Sequence, residues 1–410
     1  MAPALVVHPW VRTPLAVGMA VLLAGVLAYA AARLWPVQST VTNGADLSPQ
    51  TIVAQAGTGA FTASPDLRDA LAASRAAPAD TGLALQAAEL LIAEGRANGD
   101  ARLVGASLGI LQPALALGIT QALILAAIAR QYQHDFTGSL VLLDRAIDQD
   151  PRNVRAVLTR ATVQTVLGAF DKATADCTAL QRLGQDQIAF LCQSTAIMLT
   201  DSATVVRQRL EAILAAPGVL DPALNGWAAG LAGEIAAMQG DRPAAMARFS
   251  EVLAADPAAI RERLLLADLL LAEGRGGEVI ALLQGQPVTD SLLIRRTLAY
   301  RQTGDPTAEL ADSAELARRF GQNIDMGLSA HAREEARYFL RIAPDPKLAL
   351  ARAQVNWDLQ HEYEDAVLLI DAAMAAGDPA SAVPVVEWMR AQKVSEQLLV
   401  LPEAVKQAAR

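Results

Sequence analysis

The pattern of apolar and polar positions changes twice along the chain. From Pro14 to Ala32, nineteen residues pass without a charge, and at about 1.5 Å per residue such a helix roughly matches a 30 Å hydrocarbon layer. From Pro36 to Ser64 neither a helical nor an alternating period is present; Gly, Ser, Thr, Gln and Pro are frequent and Asp46 is the one charged residue. That segment reads as a flexible tether. Beyond Pro65, apolar residues recur at spacings of three and four, in stretches of about twelve to sixteen residues cut by Gly-Asp, Asp-Pro or Asn-Gly-Asp. The pattern predicts short packed helices and no β-strand. The expected organisation is a short tail over 1–12, a transmembrane helix over 13–34, a linker over 35–64 and a helical body over 65–410.

Trp10 and Trp35 flank the apolar run, about 37 Å apart on a helix, which suits indole rings at two headgroup zones. Ala28-Tyr29-Ala30 offers the competing reading of a cleaved signal peptide, but the apolar run continues through that site to Arg33. The amino terminus and Arg12 precede the run, Arg33 follows it, and no further basic residue comes before Arg68. This balance places the N-terminus inside and the body outside, in a bacterium a single-pass inner-membrane protein with a periplasmic domain. Ala16, Ala20, Ala24, Ala28 and Ala32 fall at four-residue spacing, a small-residue stripe through which two such helices could self-associate.

A 34-residue period decides the fold of the body. Phe136 and Phe170 are 34 apart, as are Ser139 and Ala173, Ala127 and Ala161, and Ala146 and Leu180; a second stretch pairs Gly240 with Gly274, Gly233 with Ala267 and Ala245 with Val279. Small residues at such places allow two helices of a hairpin to cross closely, and the glycine closes the turn between them. Asp150-Pro151 and Asp256-Pro257 end the second helix, because proline cannot supply the next backbone N–H.

Residues 231–257, LAGEIAAMQGDRPAAMARFSEVLAADP, resemble a tetratricopeptide repeat: Gly233, Gly240, Ala245, Phe249, Val252 and Pro257 each match that family's small, turn, packing and terminating positions. Residues 120–151 and 154–182 match less fully, with His134 where a turn glycine is usual. QHDFTGSLVLLDRAI from Gln133 recurs as QHEYEDAVLLIDAAM from Gln360, carrying the similarity towards the C-terminus, while 187–216 and 289–345 are degenerate. The resemblance implies an all-α solenoid, a right-handed superhelix of about eight to ten hairpins with a groove along its inner side. It also implies a peptide or protein partner held by the first helix of each hairpin. The inward candidates are Gln121, Ile124, Ile128, Gln131 and Tyr132, then Arg155, Leu158 and Thr162. Members that grip a C-terminal carboxylate use lysine and asparagine at such places; Leu158 and Thr162 depart from this and favour a more apolar ligand.

Composition narrows the function further. With 85 alanines in 410 residues and 4% aromatics, closely packed helices are favoured over aromatic-rich sandwiches. A net charge of −9 argues against general nucleic-acid binding. His8, His134, His331 and His361 are scattered without partners at metal-ligand spacing, so no zinc site is expected. Gly105-Ala106-Ser107-Leu108-Gly109 fits a nucleophile elbow literally but lacks the strand that the mechanism needs. Gly57-Thr58-Gly59 lacks the lysine and helix of a phosphate loop. Glu334 with Glu335, and Glu362 with Asp365, are expected on charged, solvated helix faces. No catalytic residue, metal or cofactor is assigned.

Cys177 and Cys192 lie equally far from a turn near Gly184-Gln185, which puts them level on neighbouring helices; a disulfide and two buried thiols both fit. The leading expectation is a membrane-anchored, non-enzymatic scaffold or assembly factor. An apoprotein chaperone similar to tetratricopeptide subunits of cytochrome c maturation, and a cell-wall hydrolase on a helical superhelix, stand as alternatives.

Overall fold

The computed structural model describes residues 63–327 and 330–410, and they are helical with no strand among them. After α1 (Pro65–Ala76) come nine consecutive helix pairs. These are α2 (Thr81–Ala97) with α3 (Ala101–Ala116), α4 (Thr120–Tyr132) with α5 (Phe136–Gln149), and α6 (Val154–Val166) with α7 (Phe170–Arg182). Next are α8 (Asp186–Ile197) with α9 (Ala203–Leu214), α10 (Asn225–Met238) with α11 (Arg242–Ala255), and α12 (Ile260–Ala272) with α13 (Gly276–Leu283). The last three are α14 (Asp290–Thr303) with α15 (Pro306–Asp325), α16 (Ala332–Arg341) with α17 (Pro346–Leu359), and α18 (Tyr363–Ala376) with α19 (Val383–Gln392), followed by α20 (Glu403–Ala408). The expected span over 13–34, its alanine stripe and the linker up to residue 62 lie outside the described residues. Among the described residues no helix is long and apolar enough to cross a membrane.

Local chemistry sets the helix ends. Asp80, Asp100, Asp135, Asn153, Asp241, Thr289, Asp305 and Asp345 each accept a first-turn backbone N–H through the side chain, satisfying donors that a helix start leaves open. Asp-Pro has two uses. At Asp150 and Asp256 it follows the last helical residue, whereas Asp305 and Asp345 cap helices whose first residue is the proline.

The 34-residue pairs occupy equivalent places. Phe136 and Phe170 open α5 and α7, and Gly168, Gly240 and Gly274 take φ of +68°, +78° and +71° in the turns between paired helices. His134 holds the same left-handed conformation at φ +61°. At the crossings, Ser139 Oγ donates to the Ala127 carbonyl at 2.9 Å, and a Cβ at Gly233 would lie 2.7 Å from the Phe249 ring. The first helices begin at 81, 120, 154, 186, 225, 260, 290, 332 and 363, so the strict period is local and the intervals around it stretch and shrink.

The second QH(D/E)(F/Y) segment is out of phase with the first. The earlier copy turns tightly at His134 into the second helix of a pair, but Gln360 is extended (φ −155°, ψ 154°) and Tyr363 opens the first helix of its pair. The letters recur; the backbone role does not.

The array folds back on itself. The His361 N–H donates to the Val166 carbonyl at 2.8 Å and the Ser395 N–H to the Leu199 carbonyl at 2.8 Å. The Phe170 N–H donates to Gln392 Oε1 at 3.2 Å, and the Phe170 and Trp388 rings meet edge-on with centroids 5.9 Å apart. A Cβ at Gly168 would come within 2.3 Å of Trp388 Nε1. One apolar cluster joins residues of α6 to α10 with residues of α16 to α20. The turns of the N-terminal half thus dock on the C-terminal half, and the inner helices from α6 to α18 surround a central space.

Candidate functional site

The central space is a partly open cavity of about 800 Å³, lined by the inner helices from α6 to α18. Its wall is largely apolar, with Leu158, Leu199, Trp227, Leu265, Leu298 and Leu368 among the lining residues. This volume falls within the range of small-molecule sites. Such a wall forms because each inner helix must pack on both its partner and the next pair, leaving one apolar strip facing the axis.

Charges cross the apolar wall in matched pairs. Arg261 donates through Nε and Nη2 to Glu234 at 2.8 and 2.7 Å, bridging α12 to α10. Arg295 pairs with Asp268, Arg337 with Glu364 at 2.9 Å, and Arg341 with Asp371 at 3.2 Å. Arg301 pairs with Glu309 at 2.7 Å and also donates to the Arg341 carbonyl at 2.7 Å. Bidentate and charge-assisted contacts of this kind fix side-chain directions as well as adding energy.

Glu262 differs from the other lining carboxylates. Its side chain is 94% buried, since 6% remains exposed, and it faces the cavity. Across from it, Gly230 on α10 leaves the room it fills, as a Cβ there would lie 2.8 Å from Glu262 Oε1. Burial pushes the carboxyl up to about 7, opposed by its own backbone N–H and by Arg261 and reinforced by Glu234. Arg261 itself is committed to Glu234, with Glu362 at 3.9 Å on its other side.

Beside the cavity lies a buried ionic cluster that joins α16 to α18. Arg333 donates through Nε and Nη2 to Asp365 at 2.6 and 2.7 Å, and through Nη2 to Glu362 at 2.6 Å. Asn356 Nδ2 donates to Asp365 at 2.6 Å, and Asp365 in turn accepts the Glu362 N–H at 2.9 Å, capping α18. Burial alone would lower the Arg333 guanidinium, but Asp365, Glu362 and Glu364 raise it well above its usual value. Turned so that every neighbour is satisfied, the Gln360 amide sets its nitrogen 3.1 Å from His134 Nδ1 and its oxygen towards Arg333, tying the α4–α5 turn to this cluster. Burial, then Arg333 and His331, push the His134 imidazole down to about 3.

These positions correct the expectation of solvated carboxylates. Glu334, Glu335 and Asp365 are buried and Glu362 is largely so. The physical reason is the packing of successive pairs, which turns these faces towards partners on the neighbouring helices α14, α16 and α17. Glu334 accepts from Ser291 Oγ at 3.1 Å and Glu335 from Arg352 Nε at 2.5 Å.

Of the groove candidates, Leu158 and Thr162 line the cavity. Ile124, Ile128, Gln131 and Tyr132 are buried away from it, because every residue from Ala122 to Ala129 is covered and α4 has no free face. Tyr132 turns towards the preceding pair, its hydroxyl 3.4 Å from the Gly95 carbonyl. Gln121 is half-buried at the start of α4, and Arg155 pairs with Glu89 at 2.8 Å. Ser107 lies on helix α3, its Oγ donating to the Val104 carbonyl at 2.6 Å. Cys177 on α7 and Cys192 on α8 have Cα atoms 5.5 Å apart and are joined as a disulfide. No group of metal-ligating side chains is found among the described residues.

No family model matches the sequence, and no curated protein matches it. Solved structures do. A tetratricopeptide repeat protein from Parabacteroides merdae is 15% identical, with 62% of this chain and 94% of that chain covered and a TM-score of 0.37. Yeast Tom70 is 12% identical over 83% of this chain and 84% of that one, TM-score 0.38. A human IFIT1 dimer with m7Gppp-AAAA is 10% identical over 86% and 97%, TM-score 0.43. In its succession of helix pairs, this chain is similar to tetratricopeptide repeat structures.

Proposed function

We propose that the chain is a non-enzymatic binding scaffold that holds a peptide segment of a partner protein in its central cavity. The observation that carries this reading is the cavity itself: about 800 Å³, apolar-walled and lined by seven inner helices. Its lining arginines are held in ion pairs, an arrangement that shapes a binding surface. The proposal extends to a tether: residues 13–34 anchor the chain in a bacterial inner membrane and the body works in the periplasm. The apolar run of the sequence supports the anchor, and the pairing of Cys177 with Cys192 fits an oxidising compartment.

A photo-crosslinking residue at Leu269 or Leu298, both on the cavity wall, tests the reading against one at Leu310, 71% exposed on α15. In intact cells the cavity positions should yield one discrete protein adduct in the membrane fraction and Leu310 none. Adducts from Leu310 with silent cavity positions would place the partner on the outer face and overturn the proposal.

A further inference from the structure

Glu262 is the one lining carboxylate without a side-chain hydrogen bond or ion pair among the described residues, and Arg261, which favours its charged form, is held by Glu234. Glu234, Asp268, Glu364 and Asp371 face Arg261, Arg295, Arg337 and Arg341, and Glu362 faces Arg333. A carboxylate that is nine-tenths buried and unpaired is stabilised once a cation reaches it. The space to receive that cation lies directly in front of it, because Glu262 faces the cavity. Gly230 adds to this, since any side chain there would occupy the position of the carboxylate. Arginines cannot supply the charge from within: those on the wall are already held by other carboxylates.

We infer that the cavity selects an apolar peptide segment carrying one basic side chain, and that Glu262 is the residue that receives its charge. The inference rests on the reading of the cavity as a peptide site and adds the chemistry of the peptide. The largely apolar wall takes the flanking residues. The single unmatched negative charge admits one lysine or arginine and disfavours an acidic residue, whose charge would meet Glu262 without compensation.

The test uses the purified full-length chain at pH 8 and three pools of capped hexapeptides, with Ala, Leu, Val and Phe at five positions and Lys, norleucine or Glu at the third. Norleucine keeps the alkyl stem of lysine and removes its charge. The lysine pool should bind at least about tenfold more tightly than the norleucine pool by calorimetry, and the glutamate pool more weakly than either. In Glu262→Gln the lysine preference should fall to within about twofold. Equal lysine and norleucine affinities in the wild type, or a preference that survives in Glu262→Gln, would overturn the inference and leave the peptide site standing. Hexylamine binding as tightly as the lysine pool would overturn the peptide as occupant. If none of the three pools binds, the reading of the cavity as a peptide site fails together with the inference. The wild-type comparison of pools needs no mutant, so a folding defect in Glu262→Gln would not remove the test.

Discussion

The Val166 carbonyl, at the end of α6, accepts the backbone N–H of His361, just before α18, at 2.8 Å. Two helices far apart in the chain are thereby held by a main-chain contact that belongs to neither helix. Gly168 lies two residues beyond Val166, against the Trp388 and His361 side chains. It meets two demands at once: a left-handed backbone and the absence of a Cβ.

Gly168→Ala and Gly240→Ala separate these demands. Gly240 has φ +78° but nothing within 4 Å of a would-be Cβ, so its alanine variant should lose about 1 kcal/mol from backbone strain alone. Gly168→Ala adds the clash with Trp388 and should lose a further ~1 to 3 kcal/mol. Urea unfolding of both variants provides the comparison, and equal losses would contradict the docking of α6–α7 on α19.

Arg333 and Arg341 form a second contrast. Arg333 is buried between Asp365 and Glu362, and Arg333→Ala strands both carboxylates; the expected loss is about 3 to 5 kcal/mol. Arg341 pairs with Asp371 with both side chains largely exposed, so Arg341→Ala should cost no more than about 1 kcal/mol. Similar losses for the two would show that the Arg333 cluster is open to water.

The raised carboxyl of Glu262 predicts a pH dependence with a definite sign. Its value is about 7 in the folded chain against an ordinary 4.5. Between those values the folded state holds a proton that the unfolded state has released, so its contribution to stability falls as pH rises through this window and levels off above it. Glu262→Gln cannot ionise. Its stability relative to wild type should therefore grow from pH 5 to pH 8 by of order 1 to 3 kcal/mol. A difference that is constant with pH would contradict the burial of this carboxylate.

The Cys177–Cys192 bridge spans 15 residues, and closing a loop of that size contributes about 3 kcal/mol in the chain-entropy account. Protein exported to an oxidising compartment should lose about 2 to 3 kcal/mol on reduction, and the Cys177→Ala, Cys192→Ala variant should be indifferent to reductant. Two alkylatable thiols in the exported native chain, found by mass spectrometry, would contradict the bridge.

The helix pairs were legible because their determinants are local. Turn glycines at 168, 240 and 274, the Asp-Pro stops and the small crossing residues act within one or two hairpins. The fold-back was not legible, since it follows from small rotations summed over many pairs, to which no single motif corresponds. The carboxylates were misplaced for a nearer reason: their partners sit on neighbouring helices, within about one repeat in sequence. Asp365 is four residues after His361 in a polar stretch, and its principal partner, Arg333, is 32 positions away. Of the eight groove candidates only Leu158 and Thr162 line the cavity; the α4 candidates assumed an open inner face that the packing covers. Glu262 had one available signal, a carboxylate on the first helix of a pair beside Leu264, Leu265 and Leu266, where an exposed charge is not required by the helical pattern.

Amide hydrogen exchange at His361 and Ser395 tests the closure of the array around its cavity most directly. Neither residue is within a helix, and each N–H donates to a carbonyl of the N-terminal half, Val166 or Leu199. Closure predicts that both amides exchange as slowly as those of the helices beside them. Exchange of both at the rate of an exposed loop in the native protein would contradict the closed array.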